Sequence, residues 1–413
     1  MEFLLLLLLE NLCLLICLRM LSCTLRDANY KQKLANIFFL WRKRGTLAVL
    51  RKVAYYLDDR TLRLHTNGAV SRFSDAYLHI AFRPTGGMGD YIISARVLED
   101  LQALAPVRLD VYAEKLVFGH AIYGNRPGVK VLPEERFWEC CGKYDLALTV
   151  EHFIHVEMVD RKRVRKISKD IYGRLRYLEK HWKKLYVDIP QQCWRERVQF
   201  ERCRLLGLDR WTEQRMGAFL PIRSRKVYIP LLDRFEKMYL AQPFRGKRYI
   251  TINYGADKMR PGQVQLKLWP KGHLREFVRQ FKTVHPDILV LQLGAKDAEH
   301  IPCVDDYVLG ESIELTKFIL RDSLCHVDCE GGLVHLAHQF DTRSVVVFGP
   351  TPVHMYGYRE NINLTSAKCQ NCMGLHADWA YRCWREEKEP PCMYGIAPAA
   401  VLAGVEEILE EEP

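Results

Sequence analysis

The sequence predicts two α/β domains, each built on a parallel sheet, joined by a linker in mid-chain. Short apolar, β-branched runs alternate with helical patterns in two separate blocks, which is typical of parallel sheets covered by helices. Between the blocks, residues 221–244 carry Pro221, Pro230 and Pro243. The 413 residues, 48% of them hydrophobic, are enough for two cores. Two such Rossmann-like halves would enclose a cleft, where substrates usually bind.

The first block, residues 76–225, is expected to form the N-terminal domain. We predict a strand at 77–82, then a glycine-rich turn at Gly86-Gly87-Met88-Gly89-Asp90 and a helix at 91–104. The turn lacks the glycine spacing of the dinucleotide-binding fingerprint, so it is poor evidence for a dehydrogenase. Further strands are predicted at 107–112, 129–132 and 146–150, and residues 160–219 are expected to be helical and basic.

The second block, residues 245–413, is expected to form the C-terminal domain. The pattern predicts strands at 249–254, 288–293, 307–309, 324–328 and 344–348. Helices are predicted at 273–282, 312–320 and 398–411, the last starting with proline at a helix-initiating position.

The first 75 residues fall outside both blocks. Residues 1–23 are hydrophobic but are interrupted by Glu10, and residues 24–75 are predicted to be helical and basic. The start lacks the basic region of a signal peptide, and a spanning helix would carry Glu10 near the middle of the membrane. A true span, a helix lying on the membrane and a segment upstream of the real start remain open. Arg42-Lys43-Arg44 would keep the remainder cytoplasmic, on the inner face of the membrane.

The net charge of +11, with a pI near 8.9, favours an acidic partner such as a phosphorylated glycan, an anionic membrane or nucleic acid. The excess is concentrated between Arg161 and Lys184, where eleven Lys and Arg residues stand against two acids. A solvated helix face is the ordinary interpretation of such a run. Contact with an acidic acceptor or a membrane is the other, with these candidates: Arg161, Arg163, Arg165 and Lys166.

The most informative motif is Glu330-Gly331-Gly332-Leu333-Val334-His335, which opens an apolar helix. A strand then follows and ends in Gly349-Pro350-Thr351. Glycines let a backbone approach a ligand closely, and the free N–H groups of a helix start favour phosphate. The layout predicts a nucleotide diphosphate site at the carboxyl ends of parallel strands. A turn that binds nothing is the alternative for this motif in isolation.

Four features, in this order along the chain, favour the diphosphate site over a turn that binds nothing: Gly87-Met88-Gly89-Asp90, Lys267-Leu268-Trp269-Pro270, the motif from Glu330 to His335, and Phe348-Gly349-Pro350-Thr351. Together, over roughly residues 77–409, they resemble family 9 glycosyltransferases, the lipopolysaccharide heptosyltransferases and their relatives. The resemblance implies the GT-B fold, with two Rossmann-like domains facing across a cleft, and inverting transfer that needs no catalytic metal. The chain has no Asp-x-Asp pair of the kind that holds a cation on a sugar nucleotide.

The resemblance also implies roles for particular residues. Asp90 matches the general base that deprotonates the acceptor hydroxyl, although an acid at a helix start can also serve only as a cap. Lys267 matches a lysine that contacts the diphosphate of the nucleotide-sugar donor, where a cation offsets the developing charge. Asn253 is a candidate for the polar donor contact, although residues 258–262 lengthen the loop that follows it.

In the opening motif, Glu330 would orient the donor, while Gly331, Gly332 and His335 would hold its diphosphate. The family usually has aspartate where this chain has Glu330, and Asp328 stands two residues earlier, so either acid could serve. Asp297, after the predicted strand at 288–293, is a candidate for binding the nucleoside ribose.

Four C-terminal cysteines form a possible structural metal site: Cys369, Cys372, Cys383 and Cys392. Their thiolates would suit Zn²⁺ or iron, and some family members that modify autotransporter proteins carry a four-cysteine iron site in this region. The spacing does not match that site, and packed free thiols are the alternative.

These observations favour a glycosyltransferase that moves heptose from ADP-heptose onto a lipopolysaccharide core or another anionic glycan or glycolipid at the cell surface. No nucleic-acid partner is expected. A nucleotide-sugar epimerase on the same scaffold is one alternative. A zinc-stabilised nucleic-acid-binding protein is another, but it would leave the diphosphate layout without a purpose.

Overall fold

The computed structural model describes residues 73, 75–152, 154–182, 194–217, 219–222, 224–255, 265–376 and 378–411. All of them belong to the larger of two units of the chain, His65–Pro413. The predicted hydrophobic segment at 1–23, nearly all of the basic region at 24–75 and the loop insertion at 258–262 lie outside the described residues. Within the described part, no helix is both long enough and apolar enough to cross a bilayer.

The N-terminal sheet has five strands in the order β3-β2-β1-β4-β5. The first four are parallel, as predicted, and β5 runs antiparallel to β4. Sequence patterning misses β5, because it is an edge strand in which polar His155 and Glu157 interrupt the apolar positions. The strands are β1 Leu78–Pro84, β2 Val107–Ala113, β3 Val129–Pro133, β4 Leu146–Val150 and β5 Ile154–Val159.

Helices connect and flank these strands, and the predicted helix after β1 is present as α1. Among the described residues, short 3-10 turns accompany them at Glu134–Arg136, Cys141–Lys143 and Glu213–Gly217. The α-helices are α1 Met88–Leu104, α2 Leu116–Tyr123, α3 Phe137–Cys140, α4 Arg161–Ile167, α5 Lys169–Trp182 and α6 Trp194–Leu206.

The predicted linker contains one helix, α7 Asp233–Leu240. Its buried Tyr239 stacks on Phe318 of the C-terminal domain, with ring centroids 6.1 Å apart. Buried Lys317, on the same helix as Phe318, donates to the carbonyl oxygens of Pro230 in the linker and Ala121 at the end of α2. The linker is therefore bound to the second domain, and the two domains share a hydrophobic core cluster.

The C-terminal sheet has six strands in the order β11-β10-β9-β6-β7-β8, and every pairing is parallel. Its strands are β6 Tyr249–Asn253, β7 Leu289–Gly294, β8 Asp306–Leu309, β9 His326–Cys329, β10 Ser344–Phe348 and β11 Ile362–Thr365. Its helices are α8 Lys271–Val284, α9 Ile313–Arg321, α10 Gly332–Gln339, α11 Val353–Tyr356, α12 Pro391–Tyr394 and α13 Pro398–Glu411.

The strand order reverses once in each sheet, between β1 and β4 and between β6 and β9. Ligands of open α/β sheets bind outside the carboxyl ends of the strands at such a reversal. In the first sheet this point carries the turn after β1, which leads to Asp90, and the residues after β4. In the second it carries Asn253 at the end of β6 and Glu330 directly after β9. Topology alone thus places the predicted site residues at the two positions that favour ligand binding.

Candidate active site at two facing helix starts

Asp90 lies in the first turn of α1 and is held from two sides. The backbone N–H of Gly87 donates to its Oδ2 at 3.0 Å, which is the capping role open to any acid at this position. Its Oδ1 accepts from Arg210 Nη2 at 2.8 Å, while 33% of the side chain stays exposed. Gly86 adopts φ +97°, and a β-carbon there would lie 2.3 Å from Asp90 Oδ2. The turn therefore requires glycine for both conformation and space.

A buried chain of charges supports Asp90. Arg210, 2% exposed, donates to both Asp90 and fully buried Glu213. The carboxylate of Glu213 in turn lies 3.2 Å from Nδ1 of His152, which follows β4. Burial raises the pKa of Asp90, but the positive charges of Arg210 and then His152 outweigh it, so the pKa lies below the ordinary value of 3.8. Asp90 is therefore ionised at neutral pH.

Glu330, Lys267 and His335 meet at the carboxyl end of β9. Lys267 Nζ donates to Glu330 Oε2 at 3.3 Å, and His335 Nε2 lies 3.9 Å from Glu330 Oε1. Burial raises the pKa of Glu330, but Lys267 and then His335 lower it to about 2. The pKa of Lys267 is raised, because Glu330 outweighs the effect of burial. The three side chains, of which only Lys267 is more than slightly exposed, form a cluster at the start of α10, in which Lys267 and Glu330 are an ion pair.

Asp328 is the other acid that could orient the donor, but it binds Asn253 on the neighbouring strand β6. Its carboxylate accepts from Asn253 Nδ2 at 3.0 and 3.1 Å and from the backbone N–H of Cys329 at 2.7 Å. It is 5% exposed, and burial raises its pKa despite His326 and Asn253 nearby. Glu330, not Asp328, is thus the acid that faces Lys267 and His335. Asn253 is fixed by Asp328 across the reversal point between β6 and β9.

The starts of α1 and α10 touch each other. A β-carbon at Gly89 would lie 2.4 Å from His335 Cδ2, and one at Gly332 would lie 2.8 Å from Met88 Cβ. Gly331 precedes α10 in an extended conformation, and Gly332 is its first residue. The glycines of both motifs therefore allow two helix starts to meet. They bring Asp90 and the Glu330 cluster into one site.

Asp297 lies on the exposed loop after β7, at the same edge of the sheet. A β-carbon at Gly294, where that loop begins, would lie 3.5 Å from Asn253 Oδ1. Asp297 is thus at the edge expected for a ribose contact.

The basic candidates for acceptor binding lie at the other edge of the first sheet, away from Asp90. Arg163 pairs with Asp75 and Asp145, which precede β1 and β4 and so mark the edge of the sheet opposite Asp90. Arg161 forms a two-pronged hydrogen bond with Glu179. Arg165 and Lys166 are exposed on α4. Because β5 is antiparallel, α4 begins at this far edge, and sequence patterning did not reveal that strand.

The four C-terminal cysteines lie near one another. Cys383 and Cys392 are buried, and Cys369 and Cys372 are half-buried. Burial, and then the neighbouring thiols, raise the pKa of Cys372 to about 11 and that of Cys392 to about 12. In the described residues no group of three or more Cys, His, Asp or Glu side chains is close enough to hold a metal ion as it stands.

The sequence pattern does not predict that the following side chains belong to the site: Arg210, Glu213, His152, Trp211 and Tyr358. Three of them fall in the region predicted only as helical and basic, and their partners come from distant parts of the chain. An isolated arginine or tyrosine in such a region looks like any surface or core residue. Only the fold shows that they surround Asp90 and His335.

No protein-family model matches the chain, and no curated protein matches it. Solved structures do match. E. coli ADP-heptose LPS heptosyltransferase II superposes with a TM-score of 0.50 at 14% identity, over 81% of this chain and 100% of that chain. A family 9 glycosyltransferase from Veillonella parvula DSM 2008 gives 0.50 at 12% identity, over 83% of this chain and 100% of that one.

The iron-containing dodecameric glycosyltransferase TibC of enterotoxigenic E. coli H10407 gives a TM-score of 0.54 at 15% identity, over 81% of this chain and 79% of that chain. The chain has the GT-B fold. The predicted fold class is thereby confirmed, and the family 9 resemblance is confirmed for the fold. Identities this low show the fold alone, so the activity must be argued from the site.

Proposed function

We propose that this protein is an inverting glycosyltransferase. The observation that carries the proposal is the direct contact between the two helix starts. It puts an ionised, partly exposed carboxylate, Asp90, beside a cluster of Lys267, Glu330 and His335. An inverting transferase needs a base on one side of the anomeric carbon and a site for the leaving diphosphate on the other. The GT-B fold of the solved relatives supports the same interpretation.

On the acceptor side, Asp90 would take the proton of the attacking hydroxyl. The hydroxyl oxygen would form the new bond to the anomeric carbon as the bond from that carbon to the diphosphate breaks. A carboxylate can accept several hydrogen bonds, so its contacts with Gly87 and Arg210 leave room for the acceptor hydroxyl. Arg210 would fix the direction of the carboxylate and keep it ionised until it receives the proton.

On the donor side, negative charge grows on the diphosphate as it leaves. Lys267 and the N–H groups at the start of α10 would offset this charge, and His335 would contribute a hydrogen bond. Glu330 holds Lys267 in place and would contact sugar hydroxyls. Asn253 and Asp297 would line the nucleoside end. Gly331 and Gly332 would let the diphosphate approach the backbone closely.

For the substrates, we propose heptose transfer from ADP-heptose to a lipopolysaccharide core or another anionic cell-surface glycan or glycolipid. The support is by analogy: one solved structure with the same fold is TibC with ADP-D-beta-D-heptose. The transfer would take place in the cytoplasm, with peripheral contact at the inner face of the membrane. The exposed cations on α4 and α5 are suited to anionic headgroups or phosphates, but at a distance from the catalytic base.

We further propose that catalysis needs no metal, and that Cys369, Cys372, Cys383 and Cys392 hold a structural Zn²⁺ or iron. Four thiols are a fitting donor set for either metal, and binding would draw them closer together and fix the C-terminal loops on one another. Metal analysis of purified protein tests this. One equivalent of metal is expected in the wild type and a loss in Cys392→Ser, while an unchanged content in that variant would contradict it.

The transferase proposal is tested by a thermal-shift and conversion screen against ADP-, GDP-, UDP- and CMP-sugars. Stabilisation by one nucleotide sugar, with transfer only when acceptor is added, is the expected result. Conversion of the sugar by the protein with donor alone would favour an epimerase. No stabilisation by any of them would contradict the proposal.

A further inference from the structure

His335 is bound on its inner side by a buried tyrosine. Its Nδ1 lies 2.5 Å from the hydroxyl of Tyr358, which is 2% exposed. The same hydroxyl accepts a hydrogen bond from Nε1 of Trp211 at 3.0 Å. Trp211 comes from the segment after α6, Tyr358 from the loop after α11, and His335 from the first turn of α10. Three separate parts of the chain thus meet at one phenol oxygen.

The donor and acceptor roles in this group follow from its chemistry. An indole N–H can only donate, so the phenol oxygen must accept from Trp211. The phenol has one proton of its own, and the structure shows one other partner for it, Nδ1 of His335. A buried donor left without an acceptor costs about 1–3 kcal/mol, which favours use of the phenol proton. The phenol proton therefore points at Nδ1, which must be the unprotonated nitrogen of the ring.

We propose that Trp211 and Tyr358 are positioning residues that fix His335 in the tautomer with its proton on Nε2. This inference rests on the proposed function, because the Nε2–H would then be presented to the diphosphate of the nucleotide-sugar donor. Nε2 is the nitrogen that faces the site: it lies 3.9 Å from Glu330 Oε1 and beside Gly89. The Nε2–H would then donate directly to an oxygen of the leaving diphosphate.

Among the described residues, the groups around Tyr358 do not compete for its proton. The imidazole of His338 stacks on the phenol ring, with centroids 3.7 Å apart. Burial, and then the charge of Lys226, lower the pKa of His338 to about 3, so it is uncharged at neutral pH. Asp209 and Glu330 are the nearest carboxylates, and they are bound elsewhere, to Arg225 and to Lys267. The orientation of the phenol proton is therefore set by Trp211 and His335 alone.

The segment that holds Tyr358 also holds the proposed general base, Asp90. Arg210, which holds Asp90, and Trp211, which holds Tyr358, are adjacent in the chain. The backbone N–H of Arg210 donates to the carbonyl of Met355 at 3.0 Å, and that of Trp211 to Asp209 Oδ1 at 3.1 Å. The Arg210-Trp211 dipeptide thus orients Asp90 through Arg210 and fixes the tautomer of His335 through Trp211.

The test reads the tautomer directly, with protein labelled with ¹⁵N at its 14 histidines. Long-range ¹H–¹⁵N spectra distinguish a proton on Nε2 from one on Nδ1, and His335→Gln identifies the resonance by its loss. The wild type should show Nε2–H alone. Trp211→Phe, which frees the phenol to accept from either side, should show a mixture. A wild-type Nδ1–H signal, or an unchanged spectrum in Trp211→Phe, would overturn the inference.

Binding of ADP supplies the second measurement. Tyr358→Phe removes the hydroxyl and should weaken ADP binding about tenfold, as loss of a residue that orients a ligating histidine does. Tyr239→Phe is the matched control, since it removes a buried hydroxyl that contacts Tyr249 far from the site, and it should bind ADP as the wild type does. Equal affinities of Tyr358→Phe and Tyr239→Phe would contradict the positioning role. Failure of the wild type to bind ADP is a different result, which overturns the ADP-heptose donor of the proposed function.

Discussion

Gly89 lies directly against the imidazole ring of His335. A β-carbon at Gly89 would sit 2.4 Å from Cδ2 and 3.1 Å from Nε2, inside any normal contact distance. Since Asp90 is the next residue, this approach fixes how far the proposed general base can be from the proposed diphosphate site. The contact joins the two halves of the proposed active site by packing a glycine against an imidazole ring.

Gly89→Ala should therefore lower the stability of the protein, whereas a glycine-to-alanine change in an ordinary helix should not. The added methyl group must push α1 and α10 apart, at a cost of about 1–3 kcal/mol in unfolding free energy. Gly173→Ala is the control, because a β-carbon at Gly173 in α5 meets nothing within 4 Å. That change should leave the protein as stable or more stable, since alanine favours helix. Chemical denaturation measures both, and equal effects would contradict the close contact.

Asp90→Asn should abolish transfer while preserving the binding of the nucleotide. The amide oxygen can still accept from the N–H of Gly87, so the helix start stays intact. Without a base, kcat should fall by about 10²–10⁴. Steady-state kinetics and ADP titration measure the two effects separately. Transfer at the wild-type rate would remove Asp90 from the role of general base.

Removing the charges of Arg210 and Glu213, which support Asp90, should shift the pH dependence of kcat/KM. In the wild type the pKa of Asp90 lies below 3.8, so its carboxylate is ionised at any pH above that value. Activity that depends on the ionised carboxylate therefore falls only when the pH drops below 3.8. In the double variant Arg210→Met/Glu213→Gln, burial acts without the opposing guanidinium and the pKa of Asp90 rises. The acid limb of kcat/KM should move to higher pH by about 1 unit or more.

The double variant is preferable to Arg210→Met alone, because a single change would leave Glu213 charged and buried without its partner. Arg210→Lys is the control: it keeps the positive charge and should leave the acid limb near its wild-type position. An acid limb that stays in place in the double variant would show that Arg210 does not set the pKa of Asp90.

Much of this architecture can be predicted from the sequence. The strands at β1 to β4 and most of those in the second domain are short apolar runs whose periodicity is local. The motif from Glu330 to His335 and the Gly-Asp pair at Asp90 are local too, because a glycine turn and the helix start after it are encoded by neighbouring residues. Their meeting at the reversal points follows from parallel topology.

The rest depends on contacts between distant segments. Arg210 has no local partner except Glu213, and its contact with Asp90 spans 120 residues. Edge strand β5 carries polar residues, so the sequence does not predict its antiparallel direction, nor the edge of the sheet at which the basic helix after it begins. The competition between Asp328 and Glu330 is also decided by tertiary contacts, with Asn253 and Lys267 respectively. Such choices are not visible in a one-dimensional pattern.

The central claim is that Lys267, held in place by Glu330, binds the diphosphate of a nucleotide-sugar donor. Titration calorimetry with ADP-heptose tests it most directly, on the wild type, Lys267→Ala and Lys282→Ala. Lys282 is the matched control, since it pairs with Asp305 at 3.0 Å at the opposite edge of the same sheet. The wild type and Lys282→Ala should bind ADP-heptose equally, and Lys267→Ala about 10-fold or more weakly, as expected for loss of a charged hydrogen bond. No binding by the wild type, or equal binding by Lys267→Ala, would contradict the claim.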